Sequence, residues 1–209
     1  MALEVFLAFL AASILISVSP GAGAVNTMST GLRYGVKGAL PAIMGLQLGY
    51  GVQVVLVGVG LGALLSQSQL AFELIKWFGV LYLVYLGYQK WTQPPLEMEL
   101  LGGKTESSGK QFWQAAFVNL TNPKATVFLL ALFPQFVNPN ADNLVLQYSI
   151  MGSILIIVDV LVMIGYASLA SGLSRWMKSE QHQKLQNRIF GGMFVAAAGL
   201  MASYSNKSA

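Results

Sequence analysis

Two short stretches decide how this chain reads: Ser17-Val18-Ser19-Pro20-Gly21 and, about half a chain later, Asn119-Leu120-Thr121-Asn122-Pro123-Lys124. Each interrupts an apolar run of about 20 residues, the length a helix needs to cross a hydrocarbon core of about 30 Å. A proline inside a helix removes a hydrogen-bond donor and clashes with the preceding turn, so carbonyls near residues 16 and 119 lose their usual partners. Lipid offers no replacement, and broken backbone persists at membrane depth only where it packs in protein or lines a wet cavity. One such motif alone reads as a plain proline kink held by neighbouring serine hydroxyls. Two of them, in matching halves and rich in Ser, Asn and Gly, read as the interrupted helices that carry substrate sites in secondary transporters.

Working outward, the 209 residues are 55% hydrophobic and only 10% charged, with a mean hydropathy of +0.62, a composition suited to lipid rather than water. Hydropathy predicts six spans, over about 5–28, 39–65, 70–91, 112–136, 146–173 and 189–204. The connections are short except for 92–111, where Pro94, Pro95, three glutamates, Gly102 and Gly103 mark a flexible linker. The chain thus divides into a three-helix repeat at 1–91, a cytoplasmic linker at 92–111 and a second repeat at 112–209. An odd number of helices per half turns the second upside down. The predicted fold is therefore an all-α membrane protein of six transmembrane helices in two inverted three-helix repeats, with helices one and four broken at proline.

Nine of the twelve basic residues (Arg33, Lys37, Lys90, Lys104, Lys110, Arg175, Lys178, Lys184 and Arg188) fall in the connections on one face, which makes that face cytoplasmic and puts both termini in the periplasm. The opening run at 5–18, followed by Ala22-Gly23-Ala24, imitates a cleavable signal. No basic residue precedes it and apolar segments continue to the far end, so it reads as a retained first helix. The absence of cysteine excludes disulfides, thiolate metal sites and thiol redox relays. The basic residues form no stripe, so nucleic acid is not a partner, and the formal charge of +4 belongs to the loops.

Lys124 lies about 12 residues into its span, about 18 Å along a helix and too deep for easy snorkelling. Asp159, flanked by Ile156, Ile157, Val158, Val160 and Leu161, is the one acidic residue well inside a span, and the two are candidates to pair. They read either as a static ion pair that fixes helix register or as transport residues, with Asp159 exchanging a proton and Lys124 holding a carboxylate. Asn26, Gln47, Gln53, Asn119 and Asn122 suit a zwitterion or hydroxyl, and equally suit bonding between helices. Gly45 and Gly49, like Gly58 and Gly62, have the spacing that lets helices approach closely; this leaves room for a homo-oligomer without implying one. His182 reads as a solvated loop residue rather than a metal ligand. The four tryptophans lie near span ends, as interface anchors.

At Ser19-Pro20-Gly21-x-Gly23-Ala24-x-Asn26-Thr27-Met28, and at Phe117-Val118 followed by the second proline motif, the chain resembles the RhtB family of the LysE amino-acid exporter superfamily. Gly58-Val59-Gly60-Leu61-Gly62, Ala131-Leu132-Phe133-Pro134-Gln135-Phe136 and Val158-Asp159-x5-Gly165-Tyr166-Ala167 extend the likeness over nearly the whole chain. The resemblance implies an exporter rather than an enzyme, in the inner membrane of a Gram-negative bacterium. It implies partners limited to a small amino-acid substrate, protons and the bilayer, with neither cofactor nor metal. Many members of the superfamily read Pro-Gly-Pro where this chain has Pro20-Gly21-Ala22, a version similar to the homoserine-type branch. Threonine, leucine or another small neutral solute stays open as the substrate, and a membrane scaffold without transport is the reading from a different class. The candidate substrate and transport residues are Ser19, Pro20, Gly21, Asn26, Gln47, Asn119, Asn122, Pro123 and Lys124, with Asp159 for proton coupling.

Overall fold

The computed structural model describes residues 3–65, 69–92, 94, 106–138, 143–172 and 179–203, and every regular element among them is helical. In chain order these are α1 (Leu3–Val18), α2 (Ala22–Leu65), α3 (Gln69–Thr92), α4 (Ser108–Leu120), α5 (Pro123–Ala131), a 3-10 turn (Phe133–Phe136), α6 (Leu144–Gly172) and α7 (Glu180–Ser203). Most of the expected linker, at 93 and 95–105, lies outside the described residues, as do Arg175, Lys178 and the two chain ends.

Both proline motifs coincide with helix ends. α1 stops at Val18 and α2 starts at Ala22, while α4 stops at Leu120 and α5 starts at Pro123. Proline lacks the N–H that a first helical turn does not need, so Pro123 begins α5 without strain, and the Asn122 side chain caps it by accepting from the Lys124 N–H at 3.1 Å. The axis bends by 50° between α4 and the α5 segment.

The first connection differs from expectation. Arg33 and Lys37 flank a turn at Gly35, whose φ of 68° and ψ of 180° are not helical, so α2 is two helical segments joined at that one glycine, in a conformation strained for other residues. The expected connection is therefore present but shorter than its charged residues suggested, with the turn confined to a single glycine. His182 likewise sits in the first turns of α7, exposed as expected.

Among the described residues two helices, Ala22–Gly60 and Leu144–Gly172, are long and apolar enough to cross a membrane, and the bent pair α4–α5 makes a third if it counts as one span. α1 is apolar on every face yet has 16 residues, about 24 Å. It buries Phe9, Ser13, Ile16 and Ser17, one face at i, i+4, i+7 and i+8. α6 buries Met151, Leu155, Asp159, Met163 and Ala167 in a row four residues apart, leaving Ile157 and Leu161 exposed on the opposite side. Outward leucines such as Leu81, 67% exposed, fit a lipid surround.

α2 is the central element, packed along α4 and α6; α3 lies chiefly along α7. The α2–α4 contact is close enough to require glycine. A Cβ on Gly45 would stand 2.0 Å from the Phe112 carbonyl oxygen, and one on Gly49 2.6 Å from that of Ala116. That approach brings the backbone of α2 against the break between α4 and α5.

Candidate functional site

The break after α1 leaves backbone carbonyls without helical partners, and side chains from three other helices fill the gap. Lys124 Nζ, at the start of α5, donates to the Ile16 carbonyl at 2.9 Å and the Ser19 carbonyl at 2.6 Å. Tyr166 of α6 donates its hydroxyl to the Val18 carbonyl at 2.5 Å. Lys90 of α3 donates to the Pro20 carbonyl. The C-terminal end of a helix carries partial negative charge, so two ammonium groups are well placed there. Serine hydroxyls do not take this part: those of Ser13 and Ser19 are buried without a hydrogen-bond partner, and that of Ser17 is turned toward Asp159.

The break after α4 is held by the opposite half of the chain. Gln53 Nε2 donates to the Asn119 and Leu120 carbonyls at 3.1 and 3.0 Å and to Thr126 Oγ1 at 2.8 Å. Asn119 Nδ2 donates in return to the Leu46 carbonyl of α2 at 2.7 Å.

Between the two breaks lies a small cavity of about 20 Å³, enough for about one water molecule. Ser17, Ser19, Gly21, Tyr50, Asn119, Asn122, Lys124 and Asp159 contribute to its lining. Lys124 and Asp159 thus share a cavity, but they do not pair as the sequence suggested. The ammonium is turned to backbone carbonyls, while the carboxylate, 6% exposed, accepts from Gln47 Nε2 at 2.7 Å. The physical reason is competition: the broken end of α1 presents carbonyls that no backbone N–H reaches, and they take the ammonium.

Of the candidates read from the sequence, Ser19, Gly21, Asn119, Asn122, Lys124 and Asp159 line the cavity, and Gln47 reaches it through Asp159. Pro20 and Pro123 stand at the two helix breaks and are not among the lining residues. Asn26 is not among the lining residues; its side-chain oxygen is buried without a partner and its carbonyl accepts from Thr30. Sequence reading passed over Lys90, Tyr166, Ser17 and Tyr50. Lys90, counted from the sequence among the basic residues of the cytoplasmic connections, is 6% exposed while Gln89 and Trp91 face outward. Tyr166 had a signal, since it lies seven residues after Asp159, two helical turns along the same face.

Buried opposite charges, amides and hydroxyls around a helix break, inside an all-helical apolar bundle, define a membrane protein built to handle a small polar solute. The chain belongs to the LysE type translocator family, which its residues 14–205 match. It is 48% identical over 204 residues to the homoserine/homoserine lactone efflux protein of Salmonella typhimurium, covering 97% of this chain and 98% of that one. A membrane protein of Vibrio cholerae without an assigned role is 44% identical over the same share of both chains. The leucine efflux protein of an Enterobacter species is 27% identical, covering 95% of each chain. No solved structure matches.

Proposed function

We propose that this protein exports small neutral amino acids, homoserine and homoserine lactone first among them, across the inner membrane by antiport with protons. The observation that carries the reading is the sharing of one cavity by Lys124 and Asp159 without a direct ion pair. Homoserine is a zwitterion, so its carboxylate matches the Lys124 ammonium and its ammonium matches Asp159, while the lactone offers its ring carbonyl where homoserine offers the carboxylate. Asn119, Asn122 and Ser19 add donors and acceptors for a hydroxyl. The near-full-length likeness to the Salmonella protein supports homoserine as the substrate.

The lipid-facing helices form two inverted three-helix repeats, with both termini in the periplasm and the breaks of α1 and α4 meeting at the substrate. The substrate enters from the cytoplasm, the halves rock about the breaks, and Asp159 takes up a proton from outside as the amino acid leaves. A leucine or threonine exporter is the second reading, favoured by the Enterobacter relative, and the size of the opened cavity would separate the two.

The experiment is efflux of preloaded labelled homoserine from vesicles containing wild type or Asp159→Asn at equal membrane level, with and without a protonophore. Wild-type efflux that falls with the protonophore, and lower efflux from Asp159→Asn than from wild type without it, support the proposal. Retention of homoserine by inserted wild type overturns the substrate assignment, and efflux indifferent to Asp159→Asn overturns its proton role.

A further inference from the structure

A second and much larger cavity, about 620 Å³, lies between α1, α3, α5 and α7, a size typical of small-molecule pockets. Its wall on α1 is formed by Glu4, Val5, Ala8, Ala11, Ala12, Leu15 and Ile16, one face followed for twelve residues, about 18 Å at the rise of a helix. That is more than half the thickness of a hydrocarbon core. Three of those residues are alanines, and the space exists because no larger side chain fills it.

Ile16 belongs to both cavities. It lines the polar cavity at the break and the inner end of the groove, it is 2% exposed, and its carbonyl is one of the two that Lys124 holds. Gln135, in the 3-10 turn that follows α5, also lines the groove. Neither atom of its amide makes a hydrogen bond, although both are covered. A groove meant for lipid tails gains nothing from an unbonded amide, which costs free energy in apolar surroundings. A polar solute passing along the groove would supply its missing partners.

We propose that this groove is a second substrate site, on the exit route of the same amino acid, with the Ile16 side chain as the partition between it and the central cavity and Gln135 as its polar contact. The proposal rests on the export reading above. It joins the two cavities causally, because any event that draws Lys124 off the Ile16 carbonyl frees the last turn of α1 and with it the partition.

The chain has no cysteine, so a single introduced thiol is a unique probe. Ala12→Cys, first verified to export homoserine, is treated from outside whole cells with a membrane-impermeant thiol reagent, with and without a saturating homoserine load. Protection of about fivefold or more by homoserine, lost when Gln135→Met is added, is the expected result. Ala8→Phe, which fills the groove without reaching the central cavity, should stop export while homoserine still raises the melting temperature of the purified protein. Labelling unchanged by homoserine in cells that do export it would overturn the proposal and leave the groove to lipid. Unimpaired export by Ala8→Phe would do the same. Failure of wild type to export any amino acid would instead strike the function on which the proposal rests.

Discussion

Replacing Gly45 by alanine should damage the protein far more than one added methyl group suggests. The new Cβ would lie 2.0 Å from the Phe112 carbonyl oxygen and 2.8 Å from its carbon, where 3.4 Å marks the start of ordinary contact. Backbone cannot rotate aside, so α4 must retreat from α2 by about 1.4 Å. The same interface carries the Asn119 bond to Leu46 at 2.7 Å and the Gln53 bonds to Asn119 and Leu120 at 3.1 and 3.0 Å. A retreat of that size stretches all three past useful length. Overpacking costs about 1–3 kcal/mol, and a stranded buried carbonyl adds about 1–3 kcal/mol. The expected total of about 3 kcal/mol or more should appear as a large fall in melting temperature of the detergent-purified protein, with loss of transport. Gly60→Ala is the control, because its Cβ would meet nothing within 4 Å and alanine favours helix. Equal melting of Gly45→Ala and Gly60→Ala would refute the argument that α2 and α4 touch through glycine.

Other substitutions read individual bonds of the site. Gln53→Leu removes the side-chain donor to the Leu120 carbonyl and should destabilise by about 1–3 kcal/mol, visible in thermal melts. Lys90→Met should slow homoserine export by about tenfold, equivalent to about 1.4 kcal/mol, with Lys90→Arg recovering part of it, because either cation can reach the Pro20 carbonyl. Equal initial rates for Lys90→Met and wild type at matched expression would remove Lys90 from the site. Lys124→Gln, too short to hold both the Ile16 and Ser19 carbonyls, should abolish the thermal stabilisation that homoserine gives the wild type, and persistence of that stabilisation would show that the ammonium does not bind substrate.

Much of this arrangement was readable in advance, for identifiable reasons. A proline flanked by Ser, Gly or Asn within an apolar run has few physical outcomes, and α1 and α4 end two and three residues before Pro20 and Pro123, well short of the spans expected over 5–28 and 112–136. Lys124 and Asp159 drew attention because charge deep in an apolar run is costly. Less legible was what each charge touches. The mutual pairing expected of them ignored the carbonyls that the break itself creates, and those carbonyls hold Lys124. Lys90 was hidden by its position at a span end, where most lysines reach water, whereas the turn of α3 points it inward. The shortness of the turn between Arg33 and Lys37 was hidden because charge density predicts a longer loop, whereas the dihedral angles of Gly35 alone carry the backbone out of the helical range.

The contacts of Lys124 also bear on how an exporter of this kind could return empty. A buried ammonium without a partner is expensive, and a carrier that releases its substrate outside would expose its binding lysine to that cost on every cycle. Here the carbonyls of Ile16 and Ser19 take the place of a carboxylate as acceptors, so the ammonium keeps hydrogen-bond partners in the empty site. A carboxylate carries full charge and forms a stronger bond to an ammonium than a neutral carbonyl does. On the proposed function, an arriving amino acid therefore draws Lys124 away from α1, and its departure returns the lysine to the backbone. The helix break then does two things with one set of atoms: it satisfies the cation between cycles, and it is loosened only when substrate is present.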